Sequence, residues 1–167
     1  MNKSLRAQTD YGFVFDPPFP WQKEEVAKRL PHRPPMFLIH QVDTVVPWSY
    51  CLAWNFISPD DPIFGGHFPH QPIYPGVMIL ESLGQSAAVL FQASSDAPLG
   101  ECLLTGVKDA RFFHPVLPGD ALRCEVNIER ERPPFFWNRG RAFVKHKCVA
   151  TALLIAYCRN ADELVSH

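Results

Sequence analysis

The sequence predicts an α+β domain in which an antiparallel sheet wraps around one long, enclosed helix. Three observations predict it. From Gly76 to about Ser94, Val77, Leu80, Gly84, Ala87, Ala88 and Phe91 fall on one helical face, while Met78, Ile79, Leu83, Val89 and Leu90 make the other sides apolar too. A helix apolar nearly all round must be covered by the rest of the chain. In ALRCEVNIE, Leu122, Cys124, Val126 and Ile128 alternate strictly with Arg123, Glu125, Asn127 and Glu129, which marks a strand with one wet face. CVATALLIAY, from Cys148 to Tyr157, is continuously apolar and reads as a central strand covered on both sides. One such helix against five or six antiparallel strands makes an α+β roll.

In chain order, residues 1 to about 20 predict an extended arm, because FDPPFP cannot hold a helix and offers few ladder donors. Its Phe13, Phe15 and Phe19 are expected to dock on another surface, left open at this point. WQKEEVAKRL, Trp21 to Leu30, predicts a short surface helix with Trp21, Val26 and Leu30 on its apolar face, stopped by Pro31. After the LPHRPPM loop, Phe37–Val46 and Tyr50–Ile57 predict a β-hairpin around Pro47-Trp48-Ser49. Beyond the long helix and a turn at Asp96–Gly100 come the strands Cys102–Val107, Ala121–Glu129, Arg141–Val144 and Cys148–Tyr157. The turn Lys145-His146-Lys147 joins the last two with residues that sit poorly at positive φ. The expected organisation is an arm with a short helix over 1–29, one domain over 30–158, and a tail over 159–167.

At 167 residues and 47% hydrophobic composition the chain supports one sizeable core. Its 16 Lys and Arg against 17 Asp and Glu create no net field to recruit nucleic acid or an anionic membrane. The aromatic clusters Phe112-Phe113 and Phe135-Phe136-Trp137 have no basic stripe between them, so they read as core or interface rather than as a platform for bases. Five cysteines, widely spaced and without a CxxC pair, suit reduced core thiols better than a disulfide framework or a zinc site. The N-terminus lacks an apolar leader and no apolar run reaches about 18 residues, so a soluble cytoplasmic protein is expected.

The chemistry gathers in GGHFPHQPIYPGVMILESLGQ, Gly65 to Gln85. A glutamate and a glutamine inside an apolar helix are costly to bury without partners, so Glu81 and Gln85 need a reason to be there. Catalysis is the leading one, with a wet helix face shared with Ser82 and Ser86 as the alternative. His67 and His70 form an H-x-x-H, but the spacing ends in proline and no Cys or carboxylate completes a set, so no metal is expected.

Several blocks together carry a resemblance. LPHRPPMFLIHQV, the Gly65–Gln85 phrase with its glutamate fourteen residues beyond the histidine, and DARFFHPVLPGDALRCEV follow one another over about Leu30 to Tyr157. In this the chain resembles the hot-dog-fold 3-hydroxyacyl-(acyl carrier protein) dehydratases, of the short, glutamate-containing type that does not isomerise the double bond. The resemblance implies dehydration to the trans-2-enoyl thioester in fatty acid or polyketide-type synthesis, without metal or organic cofactor. A thioesterase on the same fold and a non-catalytic partner subunit are the alternatives.

Dehydration requires removing a C2 proton, protonating the departing hydroxyl and stabilising charge on the thioester oxygen. His67 is suited to take the C2 proton at neutral pH. Glu81, set where a carboxylate charge is costly, is suited to hold a proton for the hydroxyl. The backbone N–H of Gly76, at a helix N-terminus, is a ready oxyanion donor. By resemblance the carbonyl of Ile73 holds the His67 ring and Gln85, one turn after Glu81, bonds its carboxyl. Phe68, His70, Tyr74 and Phe112 are expected along the substrate tunnel. His70 stands where the family usually has glycine and Tyr74 where methionine is usual. Lys108, Arg111, Arg139 and Arg141 are expected to form a basic rim for acyl carrier protein, with scattered surface charge as the alternative. The resemblance further implies a two-fold homodimer with shared sites, with a trimer of dimers and a hetero-partner of the same fold as further assemblies.

Overall fold

A computed structural model describes residues 7–8, 14–15, 18–95 and 101–159. In chain order its elements are β1 Ala7–Gln8, β2 Val14–Phe15, β3 Trp21–Gln22, α1 Lys23–Ala27, β4 Gln41–Val46, β5 Tyr50–Phe56, α2 Ile63–Gly66, α3 Gly76–Ser94, β6 Glu101–Phe112, β7 Ala121–Arg132, β8 Phe135–Val144 and β9 Lys147–Arg159. β1 and β2 pair with each other. The remaining seven strands form one antiparallel sheet in the order β3-β4-β5-β7-β8-β9-β6.

The long helix spans the residues its pattern predicts. Ile79, Leu83, Val89 and Leu90 are buried in one cluster with Val42, Ala53, Cys124, Ala142 and Leu154 of the sheet. The nearest approach is at Gly140 of β8, where an added Cβ would stand 2.9 Å from Leu83 Cδ1. Only glycine lets α3 lie this close to the sheet. Three serines inside the helix return their hydroxyls to its own carbonyls, Ser82 to Met78 (2.8 Å), Ser86 to Ser82 (2.8 Å) and Ser94 to Leu90 (2.6 Å). These bonds satisfy hydroxyls that the apolar surroundings do not.

Elsewhere element boundaries differ from expectation for physical reasons. β4 begins at Gln41 rather than Phe37, because the Leu38 N–H donates to the Gln85 side chain (3.0 Å) rather than to a neighbouring strand. β8 starts at Phe135 rather than Arg141, since Arg139 and Gly140 break the apolar alternation without breaking the ladder. The predicted helix over Trp21–Leu30 shortens to α1, with Trp21 and Gln22 pairing to β4 instead. Trp21, Val26 and Leu30 are fully enclosed in the main core, so the segment does not lie on the surface as expected. Phe19 packs on Trp21 with ring centroids 4.5 Å apart; the docking expected of Phe13 and Phe15 lies outside the residues whose side chains are described. Lys145 takes φ 55° in the turn where discomfort at positive φ was expected.

The cysteine expectation needs correction. Cys51 and Cys124 are buried thiols, but Cys102 and Cys158, opposite one another on β6 and β9, are joined as a disulfide. A separation of 56 residues conceals that neighbourhood from any reading of spacing.

β6 is unlike the other long strands. It pairs with β9 on one side, has no strand beside it on the other among the described residues, and exposes Leu103, Leu104, Val107 and Phe112 to solvent.

Candidate active site

The loop before α3 is shaped by its local sequence. Pro75 caps the helix in an extended conformation (φ −61°, ψ 134°), and Met78 and Ile79 return their N–H groups to its carbonyl (2.9 and 3.3 Å). The Gly76 and Val77 amides, at the helix start, have no acceptor within the helix and face its open end. The absence of a side chain at Gly76 leaves room for the Phe112 ring, whose Cε1 would stand 2.9 Å from an added Cβ. Phe112 of β6 thus lies against the helix N-terminus.

Upstream, His67 Nδ1 lies 2.8 Å from the carbonyl oxygen of Ile73. A carbonyl only accepts, so Nδ1 carries the proton and Nε2 presents a free lone pair. The ring is also held edge-on to Phe68, centroid to centroid 4.4 Å. Phe68 itself adopts φ 53°, a left-handed conformation that is unfavourable for a side chain of its size. His67 therefore sits in a strained turn with its basic nitrogen defined.

Glu81 is built by different neighbours. Gln85, one turn on and 2% exposed, donates from Nε2 to Glu81 Oε1 (2.9 Å) and to the Met36 carbonyl (2.6 Å), while its Oε1 accepts from Leu38 N–H. His32 Nε2 lies 3.4 Å from the same Glu81 oxygen. Glu81, His32 and Gln85 form the polar end of a cavity of about 240 Å³ that continues between Gly84, Ala88, Phe91, Phe136 and the Cys102–Cys158 pair. From Glu81 to Phe91 the helix rises about 15 Å at 1.5 Å per residue. The arrangement is a carboxyl at one end of a mostly apolar slot, whose wall also holds the buried Asn138, a shape that fits an acyl chain.

His67 is absent from that cavity's wall, whereas Leu103 and Leu104 of the exposed strand β6 belong to it. Ile73, Gly76 and Phe112 line a separate cleft together with Phe113 and Val116. Within one chain, then, the histidine and the carboxyl are not brought together around one cavity.

The other expected residues are distributed as follows. Phe68 and Phe112 are exposed (61% and 50%) and His70 is at the surface. Tyr74 is 3% exposed; its hydroxyl accepts from Asn55 Nδ2 (3.1 Å), which also donates to Ser82 Oγ (2.9 Å). Burial pushes the Tyr74 hydroxyl's pKa up, so it stays protonated within this network. Lys108 and Arg111 are exposed on β6. Arg139 is bonded to Glu129 (2.8 Å) and Arg141 faces Glu125 (3.5 Å). Among the described residues no group of three or more His, Cys, Asp or Glu is placed to hold a metal ion, and no helix is long and apolar enough to cross a membrane.

One functional candidate was not singled out from sequence. His32 lies in the LPHRPPM loop, 49 residues before Glu81, and only the Gln85 tether explains why the two meet. The proline-rich loop was the signal; its contact was not readable from spacing.

Comparisons with known proteins bear on the family and the fold. A FabA-like domain model matches residues 30–153. The 3-hydroxyacyl-(acyl-carrier-protein) dehydratase FabZ of Bordetella petrii is 39% identical over 144 residues, spanning 82% of this chain and 95% of the relative. The protein of the same name from Nitratidesulfovibrio vulgaris is 35% identical over 137 residues, spanning 81% and 89%. Among solved structures, the dehydratase heterocomplex ApeI:P from Xenorhabdus doucetiae superposes with a TM-score of 0.66 at 23% identity, over 84% of this chain and 94% of that one. A hot-dog-like protein from Thermanaerovibrio acidaminovorans gives 0.57 at 17% identity, over 72% and 87%. The fold is the hot-dog fold.

Proposed function

The chain belongs to the FabA-like family, and from that premise we propose that it dehydrates 3-hydroxyacyl chains carried on acyl carrier protein, in fatty acid synthesis. His67 Nε2 takes the C2 proton. The charge that moves onto the thioester oxygen is met by the Gly76 N–H at the start of α3. Glu81 delivers its proton to the C3 hydroxyl, which departs as water and leaves the trans-2-enoyl thioester. The observation that carries the reading is the 2.8 Å bond between His67 Nδ1 and the Ile73 carbonyl, which leaves a proton acceptor at Nε2.

The active unit in this proposal is a two-fold homodimer in which His67 of one protomer faces Glu81 of the other. Two features support it. The Glu81 cavity is walled partly by Leu103 and Leu104 of β6, a sheet edge with no second partner strand among the described residues that exposes large apolar side chains, which soluble monomers avoid. An isologous β6-to-β6 pairing would cover that edge and set each protomer's Phe112 and helix start beside its partner. Lys108 and Arg111 on the same strand, with Arg139 and Arg141 on β8, form the proposed rim for the acidic carrier protein. The enzyme is assigned to the cytoplasm, and residues 30–158 to the catalytic domain.

The test is incubation of the pure protein with 3-hydroxyacyl and 2-enoyl pantetheine thioesters of several lengths, following enoyl absorbance and thiol release together. Reversible hydration without thiol release is the expected result. Thiol release alone would replace the proposal with a thioesterase, and acyl binding without turnover with a partner subunit.

A further inference from the structure

His32 is an unexpected neighbour for the proposed acid. It is carried by a loop fastened at both ends: Leu30 is 1% exposed before it, and Met36 and Leu38 are bonded to Gln85 after it. The Arg33 guanidinium closes the loop on itself through the carbonyls of Leu30 (2.8 Å) and His32 (2.7 Å). Gln85 therefore holds two things at once, the His32 loop and the Glu81 carboxyl.

The hydrogen-bond pattern decides which atom does what. Leu38 N–H can only donate and the Met36 carbonyl can only accept, so Gln85 has its oxygen toward Leu38 and its amide nitrogen toward Met36. The second amide hydrogen points to Glu81 Oε1 (2.9 Å). His32 Nε2 lies 3.4 Å from that same oxygen, and His32 Nδ1 is buried with no partner. A proton on Nδ1 would leave a buried donor unpaired and set two lone pairs against each other at Glu81. A proton on Nε2 avoids both costs.

We propose that His32 is a positioning residue for Glu81: its Nε2–H and the Gln85 Nε2–H converge on Oε1, so that Oε2 is the oxygen that carries and delivers the acid proton. This rests on the dehydratase reading above. At 3.4 Å the contact is longer than a formed N–H···O bond, and it shortens when substrate fills the cavity that both residues line. Two donors on one oxygen leave the carboxyl a single orientation in which its O–H points into the slot. Gln85 alone leaves it free to rotate about that bond.

The experiment compares three substitutions with the wild-type protein in steady-state dehydration of a 3-hydroxyacyl pantetheine thioester. His32→Phe keeps ring volume and removes the donor; kcat falls on the order of tenfold with KM within about twofold, since Gln85 still holds Oε1. His32→Gln places an amide N–H near the position of Nε2 and restores kcat to within about threefold of wild type. His32→Asn, one methylene shorter, does not reach and behaves like His32→Phe. Unchanged kcat in His32→Phe, or equal activity of the Gln and Asn variants, overturns the inference. Should the Phe variant fail to fold, the Gln and Asn comparison decides alone. An inactive wild-type protein overturns the dehydratase reading and this inference with it, whereas active wild type with unaffected His32 variants overturns this inference only.

Discussion

Replacing Gln85 by methionine removes three hydrogen bonds while nearly conserving volume, and the structure allows the cost to be worked out. The Leu38 N–H loses its acceptor at 3.0 Å in a buried setting, and the Met36 carbonyl loses its donor at 2.6 Å in a half-buried one. A buried backbone group left unpaired costs about 1–3 kcal/mol, and a partly wetted one about 1, so the sum is roughly 2–4 kcal/mol. For a chain of this length each kcal/mol lowers Tm by about 2–4 °C, giving a fall of roughly 5–15 °C. Differential scanning calorimetry at one fixed protein concentration measures this, the concentration being held because assembly adds to apparent stability. The freed Glu81 carboxyl also lowers kcat. A Tm within about 2 °C of wild type would mean that Gln85 neither tethers the His32 loop nor satisfies Leu38, and would refute the account of the acid's surroundings.

Other expectations follow from single contacts. Gly140→Ala sets a Cβ 2.9 Å from Leu83 Cδ1 and overpacks the contact between helix and sheet, destabilising by about 1–3 kcal/mol in urea titration with activity per folded molecule retained. Tyr74→Phe removes the acceptor of Asn55 and lowers stability by about 0.5–1.5 kcal/mol, since Ser82 still pairs with Asn55; a shift in chain-length preference larger than the stability change would place Tyr74 in the substrate path instead. Burial pushes the thiol of Cys124 up to about 12 and that of Cys51 upward too, so at pH 8 both remain protonated. A thiol reagent in native buffer is expected to spare both and modify them only after denaturant is added, as read by mass spectrometry of peptides.

The legible parts of the fold are those where period and burial agree. α3 is legible to the residue because its apolar run starts at Pro75-Gly76 and ends before a polar turn, and the start of β7 because its alternation is strict, although the ladder carries β7 on to Arg132, three residues past the expected Glu129. β8 was read six residues short, since its Asn138 is polar yet buried and its Gly140 serves the helix rather than the strand. The histidine loop was legible because His67 and Ile73 lie close in sequence, as do Glu81 and Gln85. Contacts made across long separations were not: His32 with Glu81, Cys102 with Cys158, and Tyr74 with Asn55 all depend on the topology of the sheet. The absence of His67 from the wall of the Glu81 cavity likewise appears only in three dimensions.

The central claim is that one site takes its base from one protomer and its acid from the other. Co-expression of His67→Ala chains with Glu81→Gln chains, each inactive alone, tests it most directly. With random pairing about half the dimers are mixed, and each mixed dimer holds one intact site of two, so dehydration returns to about a quarter of wild type. Mixed dimers purified with two different tags, showing no dehydration while wild type is active, would contradict the shared site.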